Sequence, residues 1–328
     1  VLVLVETDAH EVTETSLETL TFARDLAARR GGVALHAAVV GSLPDDLRRT
    51  VLDQLGDQGV AVVHHAQHDE LTAYTAAGWA ASVTTAVGAS SADVVLAAGT
   101  PRGSEVMAHV ATRLDATMAA QVVAVREADP LVVARQVMGG SVLELMQVPG
   151  APAVVTVAGH AVDISAAEQP TTPEVRDLQP ELTAADLVCQ VRRVEATESD
   201  DTAALTGARV VVGAGRGAGS ADGFSELLEL TEQLDGALGV SRVVTSLGWR
   251  PHAEQVGQTG SRISPEVYIA CGISGAIQHW AGCSSAKTII AINTDADAPM
   301  VTKAHYAVIG DLHEVVPAIS EELRRRRS

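Results

Sequence analysis

A chain of 328 residues with 47% apolar content but only 2% aromatic side chains is long enough for two ordinary domains whose cores are filled by Ala, Val and Leu. Its formal net charge of -18 opposes general binding to nucleic acid or anionic lipid, which depends on Lys and Arg neutralising phosphates. No apolar run approaches the roughly 20 residues of a membrane helix, and the opening VLVLVE is too short and too acidic for a signal peptide, so a soluble cytoplasmic protein without direct membrane insertion is expected.

In chain order, VLVLVE (1–6), VALHAAVVG (33–41), VAVVHH (60–65) and ADVVLAAG (92–99) are short Val-rich runs separated by helical stretches near 13–30, 44–56 and 71–88. Continuous apolar strands alternating with amphipathic helices predict βαβ units and a parallel sheet covered on both faces. A helix near 103–113 precedes QVVAVRE, LVVARQV, SVLELMQ and AVVTVA. These strands have no long helices between them and predict an antiparallel extension. From Gly159 to about Thr206 the composition shifts to Pro, Glu, Asp and Thr, with an acidic ESDD run at 198–201. We assign 1–186 as an N-terminal α/β domain that docks a partner, 187–206 as a connector in which ADLVCQVRRVEA supplies an edge strand, and 207–328 as a second α/β domain.

That second domain opens with a strand at 208–212 running into Gly213, Gly215, Gly217 and Gly219 and then a helix with apolar residues at 224, 227, 228, 230 and 234. Glycines between strand and helix let backbone approach a pyrophosphate, and Arg216 can add a charge-assisted contact. SRVVTSLGW reads as the next strand, with Ser241 and Arg242 at its start, and no acidic residue near 241–246 is placed to bind a ribose. Gln255, Gln258 and Thr259 form a polar cluster in a Gly-containing loop. Hydroxyl, amide and guanidinium groups without a nucleophile–base pair suit holding and tuning a cofactor better than hydrolysis. PEVYIACGISGAIQHWAGCSSAKTIIAINTDADAP (265–299) places two apolar strands around a Gly-rich turn, where amides at Gly272 to Ala276 favour an anionic oxygen.

The remaining features carry less chemistry. Cys189, Cys271 and Cys283 have no CxxC spacing and read as reduced structural thiols. His64, His65 and His68 fit no closed zinc pattern and are expected in an exposed loop after a strand. GTPRGSE (99–105) ends a strand and opens a helix, and the RRRR at 324–327 reads as a solvated helix end whose cations suit the dipole.

The ordered strings GRG (215–217), SR and GW (241–249), QVGQTG (255–260), PExYIAxGISGAIQH (265–279), AINxDxxAP (291–299) and DLxxVVP (311–317) closely resemble the α subunit of electron transfer flavoproteins over about 208–320. The resemblance implies an α/β fold of two domains, each with a mainly parallel sheet flanked by helices, the C-terminal one Rossmann-like and FAD-binding. It implies an FAD-containing electron carrier that pairs with a β subunit carrying AMP or a second FAD. Electrons would pass from flavin dehydrogenases, such as the acyl-CoA dehydrogenases of fatty acid β-oxidation, to a quinone reductase or other acceptor.

Carried across by residue, Arg216 reaches the FAD phosphates, Ser241 helps hold the cofactor, and Arg242 lies beside the isoalloxazine. Gln255, Val256, Gly257, Gln258 and Thr259 line the flavin, with Thr259 near N5. Ser274, Gly275, Ala276, Ile277, Gln278 and His279 wrap the ribityl and pyrophosphate portion and bring His279 toward the flavin O2 edge. Asn293, Asp311 and Leu312 hold the adenosine end. A cation at Arg242 and a donor at His279 would stabilise negative charge at that edge. Trp280 and Cys283 replace an expected Leu and Met, and Thr245-Ser246-Leu247 stands where many members carry a carboxylate. Two other readings of the residues are an NAD-dependent dehydrogenase using GAGRGAG as its fingerprint, and a non-catalytic adenine-nucleotide sensor.

Overall fold

Alternate residues of the first strand, β1 (Leu2–Leu4), point into different cores: Val3 packs in one buried apolar cluster, Leu2 and Leu4 in another. A strand buried on both faces belongs to the interior of a parallel sheet. In this computed structural model, which describes residues 1–138, 140, 142–192 and 205–327, the chain forms two compact units. One is Val1–Val137 with Leu143–Glu195, and the other is Ala196–Ser328 with Met138–Val142.

In the first unit β1 is followed by α1 (Glu14–Arg29), β2 (His36–Val40), α2 (Asp45–Asp57), β3 (Val62–Ala66), α3 (Ala76–Ser90), β4 (Val94–Ala98) and α4 (Pro101–Arg113). Then come β5 (Met118–Ala128), β6 (Leu131–Val137), β7 (Val142–Gln147), β8 (Ala153–Val157) and β9 (Glu174–Leu178). Among the described residues they build a nine-stranded sheet in the order β7-β6-β5-β8-β4-β1-β2-β3-β9. The pairs β1 with β2 and β4, β2 with β3, and β4 with β8 are parallel, whereas β5 and β6 are antiparallel. The expected antiparallel extension is therefore present.

Helix α4 starts at Pro101 rather than near 103. The Thr100 hydroxyl accepts the Gly103 N–H at 2.8 Å, and proline suits a first helical position because its missing N–H would be unpaired there.

Three local expectations need correction. The edge strand is β9, which pairs in parallel with β3 from Val62 opposite Glu174 to Ala66 opposite Leu178. The expected strand at 185–196 is absent from its described part. Ala184–Leu187 is a 3-10 turn whose Thr183 and Asp186 cap one another, because Asp186 satisfies the turn's own donors instead of leaving them for a ladder. Residues 193–196 and the acidic run at 198–201 lie outside the described residues. His64 and His65 do not follow β3 but lie within it, fully buried. His64 stacks on His36 at 5.3 Å with ring nitrogens 3.0 Å apart, and His65 Nε2 lies 2.8 Å from the Gly41 carbonyl.

The second unit contains β10 (Val210–Ala214), α5 (Ser225–Gln233), β11 (Ala237–Val240), α6 (Arg242–Ser246), β12 (Val267–Cys271) and α7 (Ile277–Cys283). It closes with β13 (Thr288–Asn293), α8 (Pro299–Lys303), β14 (Tyr306–Ile309) and α9 (Leu312–Arg327). Among the described residues its five strands are ordered β11-β10-β12-β13-β14, all parallel. The run SRVVTSLGW is a correction: the strand lies earlier, at Ala237–Val240, and Arg242–Ser246 is helical. Register with β10 is used up when Val240 reaches Ala214, and Gly248, at φ +70, terminates the turn. The β-branched Val243-Val244-Thr245 has strand propensity, but only Val244 finds a core to enter.

The chain leaves β10 toward β11 on one side and returns as β12 on the other, so the strand order reverses at the β10–β12 seam. Two loops meet at its carboxyl end, and a Cβ on Gly215 would clash with the Gly272 carbonyl while one on Gly217 would sit 2.6 Å from Gly272 Cα. Gly215→Ala is therefore expected to destabilise the chain by about 1–3 kcal/mol, the cost of overpacking, read as a lower midpoint in chemical denaturation.

Candidate functional site

Ligands of open α/β sheets sit in the crevice beyond the strand carboxyl ends where the order reverses. A cavity of about 710 Å³ occupies that place in the second unit, within the roughly 300–1,000 Å³ of cofactor pockets. All the sequence-derived residues except Ile277 line it: Arg216, Ser241, Arg242, the loop Gln255–Thr259, Ser274, Gly275, Ala276, Gln278, His279, Asn293, Asp311 and Leu312. Ile277 is the exception. As the first residue of α7 it turns outward and is 72% exposed.

Backbone holds the Gln255–Thr259 loop in place. Val256 N–H donates to the Val240 carbonyl at the end of β11, Gln258 N–H to the Gln278 carbonyl, and Gly257 N–H to the Ser261 carbonyl. The side chains bond in series, with Thr245 Oγ1 donating to Gln255 Oε1 at 2.6 Å and Gln255 Nε2 donating to Thr259 Oγ1 at 3.0 Å. Thr245 thus links α6 to the loop from the stretch where the family resemblance leads one to expect a carboxylate. Glu254 directly before the loop is almost fully buried and pairs with Arg250, whose Nε lies 2.7 Å from it.

Across the crevice, Asn293 Nδ2 donates to the Ile273 carbonyl at 3.0 Å and Asn293 Oδ1 accepts the Asp295 N–H at 3.1 Å, tying the ends of β12 and β13 together. Gly275 adopts φ +81, and a Cβ there would run into the Met300 backbone. Asp311 accepts the His313 N–H at 2.9 Å and so caps α9.

The electrostatics favour an anion. Arg216 and Arg242 are both exposed on the lining, and neither has an ion-pair partner among the described residues. In a chain of net charge -18, cations left without carboxylates concentrate positive potential. Ser241 Oγ is buried without a hydrogen-bond partner, and His279 Nδ1 is buried with none at full hydrogen-bond geometry, the Val256 backbone acting on the imidazole only partially. Such orphaned atoms are costly unless a ligand or water satisfies them. His279 Nε2 lies 2.8 Å from the hydroxyl of Tyr268, which is completely buried. Burial pushes the imidazole down to about 4 from its ordinary 6.5, with the Val256 backbone partly offsetting this, so the ring is neutral at pH 7.

Tyr268 and Gly213 were missed in the sequence. Tyr268 reads there only as a strand aromatic, and Gly213, whose absent side chain makes room for the phenol ring, reads only as part of a glycine-rich turn. Thr294 and Asp295 also line the cavity, and their place in the AINTD string beside Asn293 could have nominated them. Cys271 and Cys283 are buried behind the lining, with thiols pushed up to about 12 by burial, and are inert at neutral pH. Among the described residues no three His, Cys, Asp or Glu side chains group as for a metal ion.

A reversed-order parallel sheet, glycine loops in mutual contact and a polar crevice with free guanidinium groups define a dinucleotide-binding α/β protein. Residues 204–284 match the family model described as the electron transfer flavoprotein FAD-binding domain, and residues 1–183 match the electron transfer flavoprotein domain. The chain belongs to the electron transfer flavoprotein α-subunit family, and its cofactor is FAD. It is 36% identical over 328 residues to the electron transfer flavoprotein subunit alpha of Mycobacterium leprae, covering 99% of this chain and 98% of that one. The subunit alpha of Bacillus subtilis is 31% identical over 316 residues, 96% of each. That of Thermoanaerobacterium thermosaccharolyticum is 31% identical over 313 residues, 94% of this chain and 93% of the other.

The donor set fits FAD: free guanidinium groups and close-packed glycines suit its pyrophosphate, and the orphaned Ser241 and His279 atoms suit its polar groups. The depressed His279 sets a pH dependence in the chain without ligand. Between about pH 4 and 6.5 the unfolded state binds more protons than the folded state, so folding stability rises with pH through that window. Urea midpoints are expected to fall as pH drops from 6.5 toward 4, with a smaller slope in His279→Gln.

Proposed function

We propose that the chain is the FAD-carrying half of a heterodimeric electron carrier and passes electrons singly from flavin dehydrogenases, such as acyl-CoA dehydrogenases, to a quinone reductase or other acceptor. The supporting observation is the pair of guanidinium groups without ion-pair partners and the orphaned polar atoms on one crevice, with no Ser, Thr or Cys of its described lining bonded to a histidine. Such a site binds and tunes; it has no nucleophile to activate.

FAD supplies the redox chemistry when bound, accepting and releasing electrons. Arg216, beside the glycine loop, holds the pyrophosphate as a point of fixed charge. Arg242, at the start of α6, and His279, at the start of α7, would offer a cation and a hydrogen-bond donor to the electron-rich edge of a bound flavin and so would stabilise negative charge there. Gln255 and Thr259 orient the polar ring edge through the chain of bonds that begins at Thr245. Asn293, Asp311 and Leu312 take the adenosine end.

The 1–183 match supports docking of an electron transfer flavoprotein β subunit, carrying AMP or a second FAD, against the first unit. No helix among the described residues is long and apolar enough to cross a membrane. Co-expressed with that β subunit, the chain is expected to purify with flavin absorbance that bleaches on addition of a reduced acyl-CoA dehydrogenase; a colourless complex, or a flavin that stays oxidised, overturns the reading. Arg242→Ala is expected to lower the potential of the first electron uptake in spectroelectrochemical titration. An unchanged potential removes the assigned role of that arginine.

A further inference from the structure

The phenol of Tyr268 is fully buried in β12, and its space exists because residue 213 on the neighbouring strand is glycine. Its titratable neighbours are the thiols of Cys271 and Cys283, both held neutral by burial. Burial likewise raises Tyr268 well above its ordinary value, so the hydroxyl keeps its proton. Among the described residues that hydroxyl has one hydrogen-bond partner, His279 Nε2 at 2.8 Å.

Two arrangements of protons satisfy that distance. If Nε2 carried hydrogen and donated to the phenol oxygen, the phenol proton would be left in an apolar pocket with no acceptor, and Nδ1 would be an unprotonated, unpartnered nitrogen. If the phenol donates to Nε2, its proton is satisfied and the ring hydrogen resides on Nδ1. The second arrangement avoids an unsatisfied buried donor at Tyr268. It also converts Nδ1, which is buried with no full hydrogen bond beyond the partial action of the Val256 backbone on a residue that lines the cavity, from a lone pair into an N–H group. A lone pair there would repel an electron-rich carbonyl oxygen, and an N–H would bind it.

We propose that Tyr268 is a positioning residue: its hydroxyl donates to His279 Nε2, fixes the imidazole as the Nδ1–H tautomer and so presents a neutral hydrogen-bond donor to an electron-rich acceptor on the bound flavin. The inference rests on the FAD reading of the cavity and deepens it. The donor is in place before any charge appears on the ligand, and needs no proton from solvent.

The test has two arms. In the full chain labelled with ¹⁵N-histidine, without flavin and in the flavin-loaded complex, the His279 nitrogens are assigned by their loss in His279→Ala. Nδ1 is expected to show the shift of a protonated ring nitrogen and Nε2 that of an acceptor, with the two forms mixing in Tyr268→Phe. A proton on Nε2 in the parent chain, or an unchanged Nδ1–H form in Tyr268→Phe, overturns the proposal.

In the loaded complex, Tyr268→Phe is expected to retain flavin yet lower the potential of the first electron uptake. The same substitution in a His279→Ala background should give no further shift; an equal shift there overturns the proposal, because Tyr268 would then act without the histidine. Should Tyr268→Phe not fold, 3-fluorotyrosine incorporation keeps the phenol's shape while strengthening it as a donor. A displaced Nε2 signal then supports the bond and an unmoved one overturns it. A complex that never takes up flavin overturns the FAD reading alone, since the tautomer is read in the chain without flavin.

Discussion

Everything at the site depends on one close approach of backbone to backbone, where the loops after β10 and β12 touch. Gly215 and Gly217 lie against Gly272 with no room for a side chain, and this contact sets the floor of the crevice. Parallel pairing of β10 with β12, from Val210 opposite Val267 to Ala214 opposite Cys271, brings both loops to the same level. Had either strand slipped by one residue, every inward side chain would have turned to the opposite face.

From that floor the other groups are placed by short covalent distances. Arg216 follows Gly215 directly, Ser241 and Arg242 follow the last paired residue of β11, and His279 lies in the first turn of α7. Hydrogen bonds then connect these elements laterally: Thr245 to Gln255, Gln255 to Thr259, Gln258 to Gln278 and Asn293 to Ile273. The hydrogen-bonded loop holds its own polar groups, while the cations and the Ser241 and His279 atoms keep theirs for a ligand. A ligand meeting such a wall loses little free energy to protein reorganisation, which is what preorganised electrostatics requires.

Much of this was legible from residue order. The Val-rich runs gave the parallel strands of the first unit because a strand covered on both faces must be apolar throughout. The glycine string after β10 and the GISGAIQH string after β12 pointed to their crevice because few backbones tolerate such turns. Failures arose where local composition competed with pairing partners out of view. SRVVTSLGW looked like a strand, yet β10 had no further residues with which to pair it. ADLVCQVRRVEA looked like the edge strand, yet Glu174–Leu178 found the open edge of β3. His64 and His65 looked like loop residues because their stacking and carbonyl partners come from β2 and the turn after it. Ile277 belonged to a matching string, but helical geometry turned it to the outside.

The amino-acid sequence by itself determined the classes of element, the phosphate-suited glycine turns, the family and nearly all the residues that meet at the crevice, since these depend on periodicity, turn chemistry and a long ordered string. Only the tertiary structure decided which side chains keep partners and which are left free. That outcome depends on atoms brought together from separate elements: Tyr268 of β12 reaching His279 of α7 past the vacancy at Gly213, Thr245 of α6 bonding Gln255 of the following loop, and Arg216 and Arg242 finding no carboxylate among the described residues. Hydrogen bonding and burial are properties of neighbourhood, and the neighbourhood exists only once the sheet has closed.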